Sequence, residues 1–251
     1  MDHKASVRSK VFSVLRTVAL PDSRFHFDFG EFIADFQGSD AAIERLVSHR
    51  YYEAAAVIFI TPDNCLERLR HRALVDGKTV LTTSYSIKRG FWLLKRGNIA
   101  EEKLLYASTL DGMERVARPV TLKEIAAEIG RVDFLVTGTG AISEAGVRFG
   151  KGHGFFDAEW GMLHRIGVIG TATPAAAVVH ECQVLQQTFR PEIFDTVADI
   201  IFTPTRTLPV DAPHKPDCGI VWSLLDPHML ETIPPLQELK DLEIRGAIPA
   251  H

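Results

Sequence analysis

The sequence predicts an α/β fold of three layers, α/β/α, built on a mainly parallel sheet. Short, fully apolar runs with strand character recur along the chain, stretches of helical periodicity separate them, and no long linker or internal repeat interrupts the alternation. Apolar runs that do not alternate with polar residues are strands buried on both faces, which is how parallel strands lie between helices. The 251 residues, 46% of them hydrophobic, suffice for a single domain over 1–251 with a core of its own.

Residues 4–16 place Val7, Val11 and Val14-Leu15 at helical spacing among Lys4, Arg8 and Lys10, an amphipathic first helix. Phe25, Phe27 and Phe29 then alternate with His26 and Asp28, which fits a strand or an extended arm. Ser39 reads as the N-cap of a short helix carrying Ile43, Leu46 and Val47. Residues 57–60 form a buried strand that Thr61-Pro62-Asp63 turns into a helix ending near Gly77. Residues 78–83 give the next strand and residues 104–107 a weaker one, and Thr121 to Glu124 is a capping box opening a helix. Strands follow at 132–137, 175–179 and 200–203, with a helix over 155–169. Prolines in 204–216 and at 234–235 mark loops, and the tail from about 235 to 251 is expected to be mobile.

Charge and composition narrow the function. With 28 Lys plus Arg against 32 Asp plus Glu the net charge is −4, so the chain has no global attraction to nucleic acid. The basic pairs Lys88-Arg89 and Lys95-Arg96 read first as solvated charges and second as an anion site. The longest apolar run, 54–60, is far short of the roughly 20 residues that span a bilayer. The start, Met1-Asp2-His3-Lys4, lacks a secretory signal, so a cytoplasmic protein is expected. Cys65, Cys182 and Cys218 are far apart and form no Cys-x-x-Cys pair, as befits reduced thiols.

In an open parallel sheet, ligands gather beyond the carboxyl ends of the strands. The densest segment of that kind is 146–157, where Gly150, Gly152 and Gly154 alternate and Arg148, Lys151 and His153 add cationic groups. Such a loop serves either a tight turn or a cradle of amides for an anion, and the helix that follows would aim its N-terminus at the same point. It is neither a Walker loop nor a dinucleotide fingerprint. Asp157 can cap that helix or, together with Asp195 before the strand at 200, hold a Mg²⁺ that bridges phosphates. His180-Glu181-Cys182 lacks further ligands at metal spacing and reads as a buried polar network. Ser143 has no nucleophile elbow around it, and Phe91 and Trp92 read as core before they read as a stacking pair.

These residues also carry a resemblance. Arg148-Phe-Gly-Lys-Gly-His-Gly-Phe-Phe-Asp157 resembles the Arg-Leu-Gly-x-Gly-x-Gly-Tyr-Tyr-Asp hallmark of the 5-formyltetrahydrofolate cyclo-ligase family, also called methenyltetrahydrofolate synthetase. Lys4-Ala-Ser-Val-Arg8 is similar to the family's Lys-x-x-Leu-Arg. Gln183, Pro191-Glu-Ile-Phe-Asp195 and Asp199-Ile-Ile-Phe-Thr203 are similar to its closing pattern. Within the family, Arg148-Phe-Gly-Lys-Gly152, Val179 to Val184 and Thr203 to Arg206 resemble the divergent branch of methenyltetrahydrofolate synthetase domain-containing proteins. The resemblance implies a fold of the sugar-isomerase and CoA-transferase type, with ATP and Mg²⁺ as cofactors. It implies that Lys4, Arg8, Arg148, Lys151, His153, Phe155, Phe156 and the Gly150, Gly152 and Gly154 backbone hold the triphosphate, and that Lys4, Arg148 and Lys151 act in catalysis. Asp157 and Asp195 would hold the metal, while Ile60, Asp63, Lys151, His153 and Phe155 would face the substrate, a folate or another heterocycle. Two departures fall on the substrate side. Phe155-Phe156 replaces a tyrosine pair, and the loop after Ile60 offers Asp63 or Glu67 only with a shift of register where the family has an acidic residue. The alternatives are an ATP-dependent ligase or kinase acting on another heterocycle, or a non-catalytic nucleotide- or folate-binding module.

Overall fold

The continuous apolar runs become the middle of the sheet in the computed structural model, which describes residues 3–150, 152 and 154–248, with 3–6 described by their backbone alone. The chain begins with helix α1 (His3–Leu15), crosses an arm of turns and isolated bridges, and enters α2 (Ser39–Val47) and α3 (Arg50–Ala54). Strand β1 (Val57–Ile60), helix α4 (Glu67–Val75) and strands β2 (Thr79–Thr83) and β3 (Phe91–Lys95) follow. Next come α5 (Leu104–Ser108), α6 (Leu110–Val116), β4 (Arg118–Val120), α7 (Leu122–Glu128) and β5 (Phe134–Gly138). Strands β6 (Ala141–Ser143) and β7 (Arg148–Phe149) lead to α8 (Phe155–Arg165), then β8 (Ala175–Val178), β9 (Val184–Leu185), β10 (Ile200–Phe202) and β11 (Thr207–Pro209). Helices α9 (Pro227–Thr232) and α10 (Pro234–Ile244) close the described chain.

The large sheet has the order β11-β10-β8-β5-β1-β2-β3-β4; its five middle strands run parallel, and β11, β3 and β4 pair antiparallel at the two edges. Alternate side chains of each strand feed opposite cores. Ile58 and Ile60 pack with α2, α4, α5 and α6 on one face, whereas Phe59 packs with α7, α8, α9 and α10 on the other. This is the three-layer arrangement, a mixed α/β fold with a mostly parallel central sheet flanked by helices. A second sheet, β7-β6-β9, stands beside it and carries the glycine segment. No helix of the described residues is long and apolar enough to cross a membrane.

Several elements differ from the sequence reading. Residues 104–107 lie in helix α5, with Leu104 and Ala107 buried on one side and Leu105 and Tyr106 exposed on the other; a four-residue apolar run does not discriminate strand from helix. Ser39 is the first helical residue, not the cap; Gly38 takes the cap position at φ +82° and the buried Ser39 hydroxyl bonds Asp35 instead. The helix expected over 155–169 stops at Arg165, followed by Gly167 at φ +77°. The segment from Pro234, expected as a mobile tail, begins as α10, whose Leu236 and Leu239 are fully buried; its prolines occupy the first helical turn, where a missing N–H costs nothing. The capping box at Thr121 and Glu124 forms as expected.

Candidate functional site

Strand order fixes where a ligand can sit. From β1 the chain winds outward through β2, β3 and β4 and returns to the other side of β1 as β5, so β1 and β5 flank the point where the winding reverses. The crevice at the carboxyl ends of such strands is the binding position of doubly wound sheets. A cavity of about 290 Å³ lies there. One wall comes from the sheet: Thr61 and Asp63 after β1, Thr83 at the end of β2, and Thr137 and Gly138 at the end of β5. The opposite wall comes from Arg148, Phe149, Gly150, Gly152 and Gly154, the first turns of α8, and Glu192, Phe194 and Asp195, with Arg8 reaching in from α1.

The glycine wall is shaped by two of its three glycines. Gly152 and Gly154 hold φ +103° and +67°, and Gly154 is the N-cap of α8, which has no side-chain cap among the described residues, so the positive end of the helix dipole points at the cavity. Gly150 has neither a positive φ nor a close neighbour. Arg8 sits against this loop, its guanidinium 3.4 Å from where a Cβ at Gly152 would lie. Phe156 is buried against Phe59, with the Arg148 guanidinium 4.3 Å from its ring centre.

Asp157 is not a cap. Its Oδ1 accepts from Arg148 Nη2 at 2.6 Å and from the Thr196 amide at 2.8 Å, while Arg148 Nε donates to Thr196 O at 3.0 Å. The pair ties β7, α8 and the 191–197 segment together. Burial pushes the Asp157 carboxyl above its ordinary value, the Arg148 cation opposes this, and the nearby Asp195 carboxylate adds to it. Asp195 itself accepts from the Glu192 amide at 2.9 Å. Among the described residues no cluster of three or more metal-ligating side chains exists. Two carboxylates on one cavity wall nevertheless suit Mg²⁺, which takes one or two carboxylates and completes its shell with water and phosphate oxygens.

On the sheet side Asp63 is tightly engaged: its Oδ2 accepts from Thr61 Oγ1 at 2.5 Å and from the Gly138 amide at 2.8 Å, bracing the ends of β1 and β5. Beneath it lies Arg70, fully buried, donating to the carbonyls of Thr61, Asp63 and Ser108 at 2.8, 3.1 and 2.8 Å. Burial lowers its pKa to about 10, and its Nη2 has no partner among the described residues. Ile60 is fully buried in the core and does not line the cavity; Thr61 and Asp63 reach it instead.

Two features were not read from the sequence. Glu159, on α8, is 2% exposed and faces the cavity, where its Oε1 accepts from Thr83 Oγ1 at 2.5 Å. Burial first, then the neighbouring carboxylates of Asp63 and Asp157, raise its pKa to about 8, against the Thr83 hydrogen bond and the Arg148 cation, so it is neutral at pH 7. The second is backbone strain at the rim, where Ser86 and the buried Ile87 sit at φ +54° and +59°, a region side chains rarely adopt. Of the sequence-derived candidates, the cavity brings together Arg8, Asp63, Arg148, Gly150, Gly152, Gly154, Phe155, Phe156, Asp157 and Asp195. Lys151, His153 and the Lys4 side chain lie outside the described residues. His180, Glu181 and Cys182 are half-buried instead of the buried network expected, with His180 Nδ1 accepting from the Cys182 amide at 3.2 Å; the buried Gln183 beside them donates through Nε2 to Thr139 O at 2.7 Å. Phe91 is core, and Trp92 lines a separate surface pocket with Arg24, Arg89 and Arg115.

The chain is similar to known proteins in sequence and in fold. Residues 1–204 match the model of the 5-formyltetrahydrofolate cyclo-ligase family. The methenyltetrahydrofolate synthase domain-containing protein of Danio rerio is 31% identical over 243 residues, and that of Homo sapiens is 28% identical; each alignment covers 96% of this chain. The chain spans 62% of the length of either relative. Among solved structures, the 5,10-methenyltetrahydrofolate synthetase of Aquifex aeolicus has the same fold, with a TM-score of 0.51 at 17% identity over 84% of this chain and 95% of that one.

Proposed function

Because the chain belongs to the 5-formyltetrahydrofolate cyclo-ligase family, we propose that its cavity performs the ATP- and Mg²⁺-dependent closure of 5-formyltetrahydrofolate to 5,10-methenyltetrahydrofolate. The observation that carries this reading is the facing of two unlike walls across one cavity: glycine amides, arginines and the carboxylates of Asp157 and Asp195 on one side, strand-end hydroxyls and Asp63 on the other. The first wall suits a triphosphate and the second a polar heterocycle.

Arg8, the N-terminal end of α8 and the remaining donor capacity of Arg148 would bind the phosphates. Asp157 and Asp195 would hold Mg²⁺, which supplies charge neutralisation on the phosphates. Transfer of the γ-phosphoryl group to the formyl oxygen makes that oxygen a leaving group; attack by the second folate nitrogen then closes the ring and expels phosphate. No enzyme nucleophile is needed, and the side chains contribute position and charge. The ion pair of Arg148 and Asp157 keeps the phosphate and metal groups in one register, since it joins β7 to α8.

A second reading, an ATP-dependent ligase or kinase acting on another heterocycle, is favoured by one observation. Asp63 Oδ2 is committed to Thr61 and Gly138, and the neutral Glu159 carboxyl that reaches Thr83 comes from α8 on the opposite wall. Turnover of 5-formyltetrahydrofolate with ATP and Mg²⁺, followed by the absorbance of the methenyl product, decides between the two. Turnover abolished in Asp195→Asn supports the cyclo-ligase and its metal. ATP binding without turnover in the wild type overturns the folate reading and leaves the second.

A further inference from the structure

Helix α4 carries the arginines Arg68, Arg70 and Arg72, and the first and last of them face solvent. Arg70 is instead fully buried, among Leu66, Leu69, Ala73 and Leu74, which are buried to the same degree. An aliphatic side chain suits such a setting better, and a cation taken out of water is tolerated only where it is well hydrogen-bonded. The hydrogen bonds that Arg70 makes among the described residues go to main-chain carbonyls and none to a carboxylate.

Those carbonyls share a purpose. Nη1 joins Thr61 O at 2.8 Å and Asp63 O at 3.1 Å, closing the turn Thr61-Pro62-Asp63 where β1 leaves the sheet, and Nε reaches Ser108 O at 2.8 Å at the end of α5. Pro62 restricts its own backbone and that of Thr61, so the orientation of the Asp63 peptide is the freedom left in the turn, and Arg70 removes it. With that peptide held, Asp63 Oδ2 meets the Gly138 amide at 2.8 Å, and Thr61 and Asp63 face the cavity at the ends of β1 and β5. Arg70 itself does not line that cavity. The opposite wall is braced separately, by Arg148 and the Thr196 amide on Asp157. We propose that Arg70 is a positioning residue of the site: it fixes the turn after β1, and through it the hold of Asp63 on Gly138, and so governs affinity for the heterocycle and not for the phosphates. The substrate half of this inference rests on the cyclo-ligase reading of the cavity; the positioning half does not.

Amide hydrogen exchange, read by NMR on the whole chain without ligand and well below the unfolding transition, tests the positioning. In Arg70→Met the Gly138 amide, which donates to Asp63, is expected to exchange about 10-fold faster, while the Thr196 amide, which donates to Asp157, changes by less than about twofold. Arg70→Lys keeps the cation without the planar fork and is expected to fall between wild type and Arg70→Met; it carries the same test if Arg70→Met does not fold. A parallel rise of both amides means that Arg70 only stabilises the core and overturns the proposal, as does an unchanged Gly138 amide. Turnover gives the second readout: the KM for 5-formyltetrahydrofolate is expected to rise about 10-fold in Arg70→Met and about threefold in Arg70→Lys, with the KM for ATP within about twofold of wild type. KM values that rise together, or not at all, overturn the link to the substrate wall. A wild type that turns over no 5-formyltetrahydrofolate overturns the cyclo-ligase reading instead, and the exchange of Gly138 against Thr196 still decides whether Arg70 positions Asp63.

Discussion

Replacing Glu159 by Gln tests the cavity's electrostatics without touching its shape. The buried carboxyl has its pKa raised from 4.5 to about 8, chiefly because burial strips water from the charged form. A raised carboxyl stabilises the fold fully below pH 4.5, where folded and unfolded chains are both protonated. Between pH 4.5 and about 8 the unfolded chain has lost the proton and the folded chain has kept it, so stability falls as pH rises; above about 8 the contribution is flat. At about 1.4 kcal/mol per pH unit, that interval amounts to about 4–5 kcal/mol. Gln keeps an acceptor for the Thr83 hydroxyl and cannot ionise. Urea or guanidinium denaturation of both proteins at pH 5, 6, 7, 8 and 9 is the assay, read as the gap in unfolding free energy. The gap should move steadily in favour of Glu159→Gln up to about pH 8 and then level off. Every other ionisable group is common to the two proteins, so a gap that stays constant from pH 5 to 9 would mean that Glu159 is ionised in the folded cavity and that the desolvation argument is wrong.

Other perturbations separate the parts of the site. Arg70→Met should cost about 3 kcal/mol in denaturant unfolding, because it leaves the carbonyls of Thr61, Asp63 and Ser108 without their buried donor; an unchanged midpoint would show that the loop after β1 does not depend on it. Asp157→Ala strands the Arg148 guanidinium, 7% exposed, beside an apolar methyl and should destabilise by about 3–5 kcal/mol, with Asp157→Asn clearly milder. Equal losses in the two variants would argue against the ion pair as their cause. Ser86→Gly relieves a left-handed backbone and should stabilise by about 1 kcal/mol; destabilisation would show that the φ of +54° is not strained.

The middle of the fold was legible because its signal is local. Residues 57–60, 134–136, 175–178 and 200–202 are apolar without interruption, and such runs have few other uses than strands buried on both faces. The edges were less legible, since Phe91 to Lys95 lies between charged and glycine-rich turns and Arg118 to Val120 is too short to carry a period. The site divides in the same way. Glycines, arginines and aspartates declare themselves by type, and they form the wall opposite the sheet. Glu159 did not, because an acid inside a helix ordinarily faces water. A signal was present even so: Phe156, Met162 and Leu163 are buried three or four positions from it, so helical spacing sets Glu159 on the apolar face of α8. An acid on an apolar stripe must be neutralised or paired, and it points to a cavity. What no local pattern contains is the return of the chain from β4 to the far side of β1. That single crossover sets β1 beside β5, brings Thr61 and Asp63 to Thr137 and Gly138, and opens the crevice in which the two walls meet. The residues of the cavity are thus chosen one by one in the sequence, whereas the cavity itself is a property of strand order.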